Sequence, residues 1–336
     1  MSASGRSDAV TGPGPIVHIG YHKTATTWFQ NSVYPHAVGR RYVDRRVVQQ
    51  ALLRPSALCF DPDAARALLG AGDGPILCEE NLSGYLHNGG LHGFLSAGIA
   101  ERIRATLPDA RIVMFVRAQP SMIAASYNQY VRAGGTHRPH RYLWPEDYLH
   151  GAAAEPWKVP RFQFDHFDYH RLALRYRSLF GADRVHVFAY EALAADRDGF
   201  LRDFAAALGL AFDWAAIGAA GRNASLNAAG MRVARLLNRL TARSVLDKRA
   251  LLHLPFAYAA RRPVLGATER LPLRRVSPER VLGADAVRWI ERRYAESNAA
   301  LADAFGLDLA AYGYPLEQGA PVERPRAGAW RRWIAR

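Results

Sequence analysis

The chain has 336 residues, of which 49% are hydrophobic and 22% charged, and its formal net charge is +14. This composition is globular, and the length suits one large domain or two small ones. It excludes a membrane-spanning protein, because no apolar run approaches the roughly 20 residues of a span. It also excludes a disulfide framework, because there are only two cysteines. With no hydrophobic signal region in residues 1–14, a cytoplasmic location is expected.

The positive charge is concentrated in the last third of the chain. Residues 221–336 contain 21 Lys or Arg against 10 Asp or Glu. Such a region attracts polyanions such as nucleotide phosphates, acidic polysaccharide, anionic lipid or nucleic acid. The sequence has no zinc-ligand cluster, no repeat and no RNA-binding aromatic pattern, so neither a metal nor nucleic acid is an expected partner. GC-rich coding is the alternative explanation of the high arginine content.

The first predicted unit is a strand from Ile16 to Ile19, a polar loop that begins at Gly20, and a helix from Thr26 that Pro35 ends. A strand followed by a polar loop and a helix start is the arrangement that binds phosphate. The helix start offers unpaired N–H groups and a positive dipole end. The alternative is an ordinary turn between strand and helix with a surface lysine.

The loop is not a Walker A loop. That motif places lysine directly before Ser or Thr, whereas Thr26 and Thr27 follow Lys23 by three and four residues and the second glycine is absent. The lysine itself is unusual, since among 44 Lys and Arg residues lysine occurs only at positions 23, 158 and 248. Lysine carries a compact charge on a flexible stem, which suits a bridging oxygen at a transferring group.

The rest of the chain alternates strands and helices. Further strands are predicted at 75–78, 111–116 and 184–189, and helices at 61–69, 99–107, 120–132, 167–179, 198–208, 231–240 and 287–305. Residues 34–55 are predicted to be irregular, and 134–160 to form a long loop. The alternation predicts an α/β fold, P-loop-like and doubly wound, with a mostly parallel sheet flanked by helices and a helical, basic C-terminal part. We expect a lead-in at 1–14, a single domain at 15–316 and a basic tail at 317–336.

Ligands of such folds bind beyond the carboxyl ends of the strands. Glu79 and Glu80 follow the second strand, where a carboxylate can take the proton of an acceptor hydroxyl. Repulsion between the two would raise the pKa of one of them. A cap or salt bridge is the alternative, and it is favoured for Glu79. Arg117 ends the third strand, and its guanidinium can bind phosphate with two hydrogen bonds; a surface ion pair is the alternative.

Residues 23–28, Lys-Thr-Ala-Thr-Thr-Trp, resemble the 5′-phosphosulfate loop of sulfotransferases that use 3′-phosphoadenosine-5′-phosphosulfate (PAPS). Those enzymes usually have glycine where this chain has Ala25. The resemblance implies that Lys23 is catalytic and stabilises charge on the bridging oxygen. It also implies that the phosphosulfate is held by His22, Lys23, Thr24, Ala25, Thr26 and Thr27.

In that family an arginine closes the third strand, and a serine eight residues later helps it to hold the 3′-phosphate of the donor. Arg117 matches the arginine, but the eighth residue is Ala125 and Ser126 is the ninth. Either a local helix shift presents Ser126, or Arg117 holds the phosphate with a neighbour. The run 127–129, Tyr-Asn-Gln, resembles bacterial members and favours Ala125 as the aligned position.

The run 78–82 resembles a pattern of bacterial and glycan sulfotransferases in which a glutamate at a strand end is the base, which implies Glu80 for this role. Cytosolic small-molecule sulfotransferases use a histidine, so His22 and His87 are rivals, although His22 is expected to shape the loop. The polar run 221–227 resembles one near the nucleotide and implies contacts from Arg222 and Asn223, with a helix cap as the alternative.

The resemblance covers roughly residues 15–316, including the late stretches 293–298 and 312–315. It implies transfer of a sulfuryl group from PAPS to a hydroxyl, leaving 3′-phosphoadenosine-5′-phosphate (PAP), with no metal. A carbohydrate or glycolipid acceptor is expected, while a peptide tyrosine or a small metabolite remains open. Trp330 and Trp333 among the arginines of the tail suggest peripheral contact with an anionic membrane; a disordered basic end is the alternative.

Two other functions compete with this interpretation. A P-loop nucleotide kinase or NTPase lacks support, because the Gly-Lys-Ser/Thr sequence and a clear Mg²⁺-binding aspartate after an apolar strand are missing. A non-catalytic polyanion-binding protein is the second alternative, and it predicts that Lys23→Ala leaves ligand affinity nearly intact.

Overall fold

The computed structural model describes residues 14–70, 74–151, 155, 157–218, 226–241, 251–254, 256–257, 259–261, 263, 266, 277–317, 319 and 322–325. Four parallel strands in this part of the chain form one sheet, in the order β2-β1-β3-β4. They are β1 (Ile16–His18), β2 (Ile76–Cys78), β3 (Arg111–Val116) and β4 (Val185–Ala189). Each was predicted from the sequence to within one residue at either end.

Both faces of the sheet are covered. Along β1 and β3, neighbouring residues belong to different hydrophobic clusters, because successive side chains of a strand point to opposite faces. Ile16 and Phe115 lie in the smaller cluster, with residues of the helices that follow β1 and β4. Val17 and Met114 lie in the larger cluster with the remaining long helices. The fold is therefore the predicted α/β arrangement, with helices flanking a parallel sheet.

The helices follow the predicted order. Those within the described residues span Thr26–Trp28, Arg45–Val48, Pro62–Leu69, Gly89–His92, Phe94–Thr106, Gln119–Arg132, Pro139–Leu143, Tyr169–Phe180, Tyr190–Ala195, Arg197–Leu208, Ala228–Asn238, Pro278–Leu282 and Ala284–Phe305. The first continues as a π-helix, Phe29–Val33, and a 3₁₀ turn, Tyr34–His36. No helix in the described part of the chain is long and apolar enough to cross a membrane.

Two segments contain more structure than the sequence suggested. The stretch 34–55, predicted to be irregular, contains the helix Arg45–Val48, which continues as a π-helix through Leu53. Asp44 caps this helix by accepting a hydrogen bond from the backbone N–H of Arg46. The stretch 134–160, predicted to be a loop, contains a short helix, Pro139–Leu143. The first correction matters for function, because Arg45 reaches the predicted site.

Candidate functional site

The loop after β1 is fixed between the two neighbouring strands. Gly20 has a φ of +101°, and a Cβ on it would lie 3.0 Å from Cα of Glu80. Only glycine fits this close approach without strain. On the other side, the N–H of Phe115 in β3 donates to the oxygen of Gly20 (2.6 Å), and the N–H of Tyr21 donates to the oxygen of Phe115 (2.8 Å). The end of β2 and the end of β3 therefore flank the loop.

The loop is a tight turn with two left-handed residues, Lys23 (φ 62°) and Ala25 (φ 66°). Ala25 therefore has the backbone conformation that glycine adopts most easily, at the place where the resemblance has glycine. The Thr24 side chain is buried, and its hydroxyl donates to the carbonyl of Tyr21 (2.5 Å). Thr26 is also buried, whereas Thr27 and Lys23 are exposed at the surface of the loop.

The structure brings Arg117 to the loop, as predicted for a residue at the end of β3. Its guanidinium donates to the carbonyl of Lys23 (3.1 Å) and, from two nitrogens, to the hydroxyl of Ser121 (2.9 and 2.7 Å). It also stacks on the ring of Tyr190, 5.1 Å from the centroid. Tyr169 fixes the backbone by donating to the carbonyl of Arg117 (2.7 Å).

The other predicted contacts of the donor beyond the loop are Ser126, expected at the 3′-phosphate, and Arg222 and Asn223, expected near the nucleotide. Ser126 is fully buried, and its hydroxyl donates to the carbonyl of Met122 one turn earlier in its helix (3.0 Å). Arg222 and Asn223 lie outside the described residues. The described residues on either side of that segment are anchored near the site. Trp28 donates to the carbonyl of Gly218 (3.1 Å), and Asn128 donates to the carbonyl of Leu226 (2.7 Å).

Positive charge accumulates on the β3 side of the loop. Although the Lys23 side chain reaches the surface, neighbouring atoms remove part of its hydration and lower its pKa, the charges of Arg132 and Arg117 lower it further, and Glu80 opposes the shift. Within the described residues, no carboxylate forms an ion pair with Lys23 or Arg117. Cations that are close together and not neutralised by the protein favour the binding of an anion at this place.

The β2 side of the loop is organised around a buried carboxylate. Glu79 accepts hydrogen bonds from Arg45 (2.9 and 3.0 Å), Gln49 (2.7 Å) and both the backbone N–H and the side-chain amide of Asn81 (3.1 and 2.5 Å). Burial alone would raise the pKa of Glu79, but these hydrogen bonds outweigh it and the pKa is lowered. Glu79 is therefore an ionised structural residue, the alternative that the sequence favoured for it.

Glu80 is more accessible than Glu79, with 15% of its side chain exposed. One carboxylate oxygen accepts from Arg45 (3.0 Å) and the other from Gln30 (3.0 Å). Its place beside Gly20 brings its backbone against the loop. Glu80 is thus close to the loop, as the sequence predicted, but each of its oxygens already has a donor within the protein.

His22 belongs to the loop and contacts Asn81, which is bonded to Glu79. Its Nε2 is 3.1 Å from Oδ1 of Asn81, and its side chain is 6% exposed. The pKa of His22 is lowered by burial, while the charge of Glu80, the hydrogen bond to Asn81 and the charge of Glu79 oppose the shift, and the charge of Lys23 adds to it. The imidazole is therefore neutral at pH 7.

Two more buried imidazoles are electrostatically coupled to His22. Burial, followed by the influence of His22, lowers the pKa of both His87 and His166 to about 3. Nδ1 of His87 is 2.9 Å from the hydroxyl of Tyr142, and the ring of His166 packs edge-on against Tyr21. The described residues contain no group of His, Cys, Asp and Glu that could hold a metal ion.

The chain is similar to a known protein family over part of its length. Residues 82–214 match a family model described as "Sulfotransferase family". The match covers less than half of the 336 residues. The matched region contains Arg117, Ser121 and Ser126, whereas the loop around Lys23 and the Glu79–Glu80 pair precede it.

The chain is also similar to solved structures. The crystal structure of a sulfotransferase from Alicyclobacillus acidocaldarius is 19% identical, with a TM-score of 0.44, and the match covers 62% of this chain and 85% of that chain. No curated protein matches the sequence.

Sequence reasoning missed several residues of the site. Arg45 gave no signal, because it is 34 residues from Glu79 in a segment that was predicted to be irregular. Ser121 is four residues after Arg117, one helical turn away, and this spacing would have pointed to it. Asn81 belongs to the recognised run 78–82, but its link to His22 depends on how the loop folds back on β2.

Proposed function

We propose that this chain is a sulfotransferase, which moves a sulfuryl group from PAPS to an acceptor hydroxyl. The observation that carries the proposal is the set of cations on the β3 side of the loop. Lys23 lies in a loop with left-handed backbone, Arg117 at the end of β3 donates to its carbonyl, and within the described residues neither has a carboxylate partner. A donor that carries phosphate groups and a sulfate group supplies the negative charge that this place lacks.

The donor fits the residues of the loop as follows. In the proposal, Lys23 stabilises charge on the bridging oxygen as the 5′-phosphate leaves, and the backbone N–H groups hold the phosphosulfate together with His22, Thr24, Ala25, Thr26 and Thr27. Arg117 binds the 3′-phosphate, with Ser121 as its neighbour in the structure. Ser126, Arg222 and Asn223 remain predicted contacts of the donor. Such a transfer depends mainly on positioning and charge stabilisation, as in phosphoryl transfer.

The acceptor hydroxyl loses its proton as the new bond forms, so a base is required. The site offers two candidates. The first is the carboxylate of Glu80, which the resemblance favours. The second is the imidazole of His22, which burial keeps neutral by lowering its pKa. Glu79 is a poor candidate, because it is fully buried and its oxygens accept hydrogen bonds from three residues.

For the acceptor we propose a carbohydrate, either a polysaccharide or a glycolipid. The support is the basic last third of the sequence, which attracts acidic glycans and anionic lipid surfaces. Peripheral contact of the tail with a membrane belongs to the same proposal. The tail from residue 326 onwards lies outside the described residues.

A thermal-shift comparison tests donor binding. The purified chain is measured with PAP, ATP, GTP and no ligand, and the proposal expects the largest rise in Tm with PAP. Stabilisation by ATP or GTP alone would support the kinase or NTPase alternative and overturn the proposal. Lys23→Ala should weaken the effect of PAP, whereas Lys158→Ala, the matched control at an exposed lysine, should not.

Transfer itself is measured with PAPS that carries a radiolabelled sulfuryl group. Pools of glycans, peptides and phenols serve as acceptors, and label is expected in the glycan pool. Label in peptides or phenols would keep the reaction but change the acceptor class. PAP binding without any labelled product, in a chain whose PAP response survives Lys23→Ala, would indicate a polyanion-binding protein instead.

A further inference from the structure

The surface around the end of the helix Ala228–Asn238 carries a cluster of exposed apolar side chains. Of the fourteen large apolar side chains that are exposed in the described residues, six lie between positions 233 and 256. Three of the six, Leu236, Leu251 and Phe256, expose 63%, 74% and 83% of their surface. Single exposed apolar side chains are ordinary, but a group of them marks an interaction surface. We call this group the apolar patch, and its members are Val233, Leu236, Leu251, Leu252, Leu254 and Phe256.

Backbone hydrogen bonds hold the two parts of the apolar patch together. The end of a helix leaves carbonyl groups that have no partner inside the helix. Here the N–H of Leu251 donates to the carbonyl of Arg239 (2.8 Å), and the N–H of Leu254 donates to the carbonyl of Leu240 (3.0 Å). The segment that contains both leucines therefore lies against the end of the helix. The exposed side chains of the helix and of the segment thus belong to one surface.

The chain that follows the apolar patch is anchored to the core by a buried arginine. Arg261, five residues after Phe256, is only 5% exposed. Its guanidinium donates to the side-chain oxygen of Asn238 and to the carbonyl of Arg132, and Asn238 donates in turn to the carbonyl of Val131 (2.8 Å). This is the reverse of the usual distribution, in which arginine is exposed and leucine and phenylalanine are buried. The apolar patch is therefore exposed although the chain on either side of it has fixed contacts.

Positive charge surrounds the apolar patch. Residues 226–266 contain eight Lys or Arg and a single acidic residue, Asp247. Arg232 and Arg239 are four residues before and three residues after Leu236, so the three side chains lie on one face of the helix. Both arginines are exposed, and within the described residues neither forms an ion pair with a carboxylate. The surface therefore combines apolar side chains with cations that the protein does not neutralise.

We propose that the apolar patch, together with Arg232 and Arg239, docks on an anionic lipid bilayer. The leucine and phenylalanine side chains enter the boundary between headgroups and acyl chains, and the guanidinium groups bind lipid phosphates. Docking removes apolar area from water and gives each unpaired cation an anion. A second copy of the chain fits less well, because two such surfaces would bring like charges together. A soluble polyanion also fits less well, because it would leave the apolar side chains in water.

The test measures co-sedimentation of the purified full chain with lipid vesicles. One kind of vesicle contains phosphatidylcholine alone, and the other contains phosphatidylcholine with an equal part of phosphatidylglycerol. We expect binding to the anionic vesicles and much weaker binding to the neutral ones. The affinity should fall as salt is added, because salt screens exposed charges. A wild-type chain that binds neither kind of vesicle would overturn the inference.

A pair of apolar substitutions tests the patch itself. Leu251→Ser combined with Phe256→Ser should weaken binding to the anionic vesicles by about tenfold or more, because less apolar area enters the bilayer. The matched control combines Leu58→Ser with Phe94→Ser, since these side chains are 96% and 73% exposed but lie outside the apolar patch. The control should bind like the wild type. Equal affinities of the two double variants would contradict the proposed surface.

Charge substitutions and the tail give two further comparisons. Arg232→Gln and Arg239→Gln should each weaken binding to the anionic vesicles by about fivefold, and unchanged binding in the double variant would refute the role of these arginines. The tail is tested by Trp330→Ser combined with Trp333→Ser. Loss of binding in that variant, with full binding in Leu251→Ser/Phe256→Ser, would assign the membrane contact to the tail and overturn the inference.

Three measurements exclude other causes. Equal Tm values of the wild type and the variants would show that substitutions at these exposed positions leave the fold intact. Sedimentation velocity tests for a second copy: a wild-type dimer that becomes a monomer in Leu251→Ser/Phe256→Ser would make the apolar patch an interface between copies and overturn the inference. The docking surface does not depend on the proposed sulfuryl transfer. A chain that binds anionic vesicles but neither binds PAP nor transfers label would therefore refute the proposed function and leave this inference standing.

Discussion

The two sides of the donor loop handle charge in opposite ways. On the β2 side, Glu79 is fully buried and accepts from Arg45, Gln49 and Asn81. On the β3 side, Lys23 and Arg117 have no carboxylate partner within the described residues. The buried charge on the β2 side is thus neutralised within the protein, whereas the β3 side has an excess of positive charge.

This difference indicates what each side contributes. A buried ion pair with additional hydrogen bonds is costly to break, so the β2 side should determine stability and the geometry of the loop. Cations that repel each other gain free energy when an anion arrives, so the β3 side should determine ligand binding and rate. Substitutions on the two sides should therefore affect different measurements.

The largest expected effect is the loss of stability in Glu79→Gln. The substitution leaves Arg45 paired with Glu80 alone, and it removes the charge from a buried group that accepts hydrogen bonds from Arg45, Gln49 and Asn81. We expect a loss of about 3–5 kcal/mol in the free energy of unfolding, measured by urea denaturation. The matched control is Glu101→Gln, because Glu101 also pairs with an arginine but is 51% exposed; there we expect less than about 1 kcal/mol. Equal losses in the two variants would show that burial does not distinguish the pairs.

The same carboxylate gives the stability a pH dependence with a defined sign. The pKa of Glu79 in the folded protein lies below its ordinary value of 4.5, so the unfolded chain binds a proton first. Its contribution is complete above pH 4.5 and is lost as the pH falls through the folded pKa. Urea midpoints measured from pH 7 to pH 3 should therefore fall more steeply in the wild type than in Glu79→Gln. Parallel curves would contradict the assignment of Glu79 as an ionised buried group.

The next effect is on the other side of the loop, where Lys23→Ala should reduce the transfer rate without reducing stability. Loss of one group that stabilises developing charge costs about 10²–10³-fold in kcat. Because Lys23 lies close enough to Arg117 and Arg132 for their charges to lower its pKa, its removal also relieves repulsion. The urea midpoint should stay equal or rise. A large fall in the midpoint would mean that Lys23 supports the fold, and the contrast between the two sides would fail.

A smaller effect is expected for the 3′-phosphate contact. Arg117→Ala should weaken PAP binding by about 1.5–3 kcal/mol in calorimetric titration, the usual value for hydrogen bonds to charged groups. Ser121→Ala should reduce the affinity for PAP less than Arg117→Ala does, because Ser121 acts by orienting Arg117. It should reduce the affinity more than Ser126→Ala does, because the Ser126 hydroxyl is hydrogen-bonded within its own helix. A larger loss of affinity in Ser126→Ala would instead support Ser126 as the predicted contact of the 3′-phosphate.

The parts of the fold that the sequence predicted well are those with local causes. The four strands are short apolar runs, and the helix Pro62–Leu69 begins after Asp61, whose carboxylate caps two N–H groups, and ends at Gly70 in a left-handed conformation. Such patterns depend on neighbours in the chain. Lys23, Glu80 and Arg117 were predicted for a related reason, because parallel strands bring their carboxyl ends to one edge.

The parts that could not be predicted depend on contacts between distant residues. Arg45 reaches Glu79 across 34 positions, and no pattern in its own segment indicates this. The choice between Ser121 and Ser126 depends on the rotation of a helix, which the sequence leaves open by one residue. The contact between His22 and Asn81 depends on the orientation of Asn81, which donates to Glu79, and on the pairing of Glu79 with Arg45, and each of these hydrogen bonds exists only in the folded chain.

The smallest expected effect concerns the loop that joins the two sides, at Ala25. Alanine with a φ of 66° is strained relative to glycine, so Ala25→Gly should raise the free energy of unfolding, by about 0.5–1 kcal/mol, after the greater flexibility of glycine in the unfolded chain is counted. Ala206→Gly is the matched control, because Ala206 is exposed in a regular helix; it should lose about 0.5–1 kcal/mol. The opposite signs would show that the loop is held in its left-handed form against local preference by the hydrogen bonds on either side. Equal losses in the free energy of unfolding of the two variants, measured by urea denaturation, would instead indicate that Ala25 has a right-handed conformation. They would also indicate that the two strands do not hold the loop.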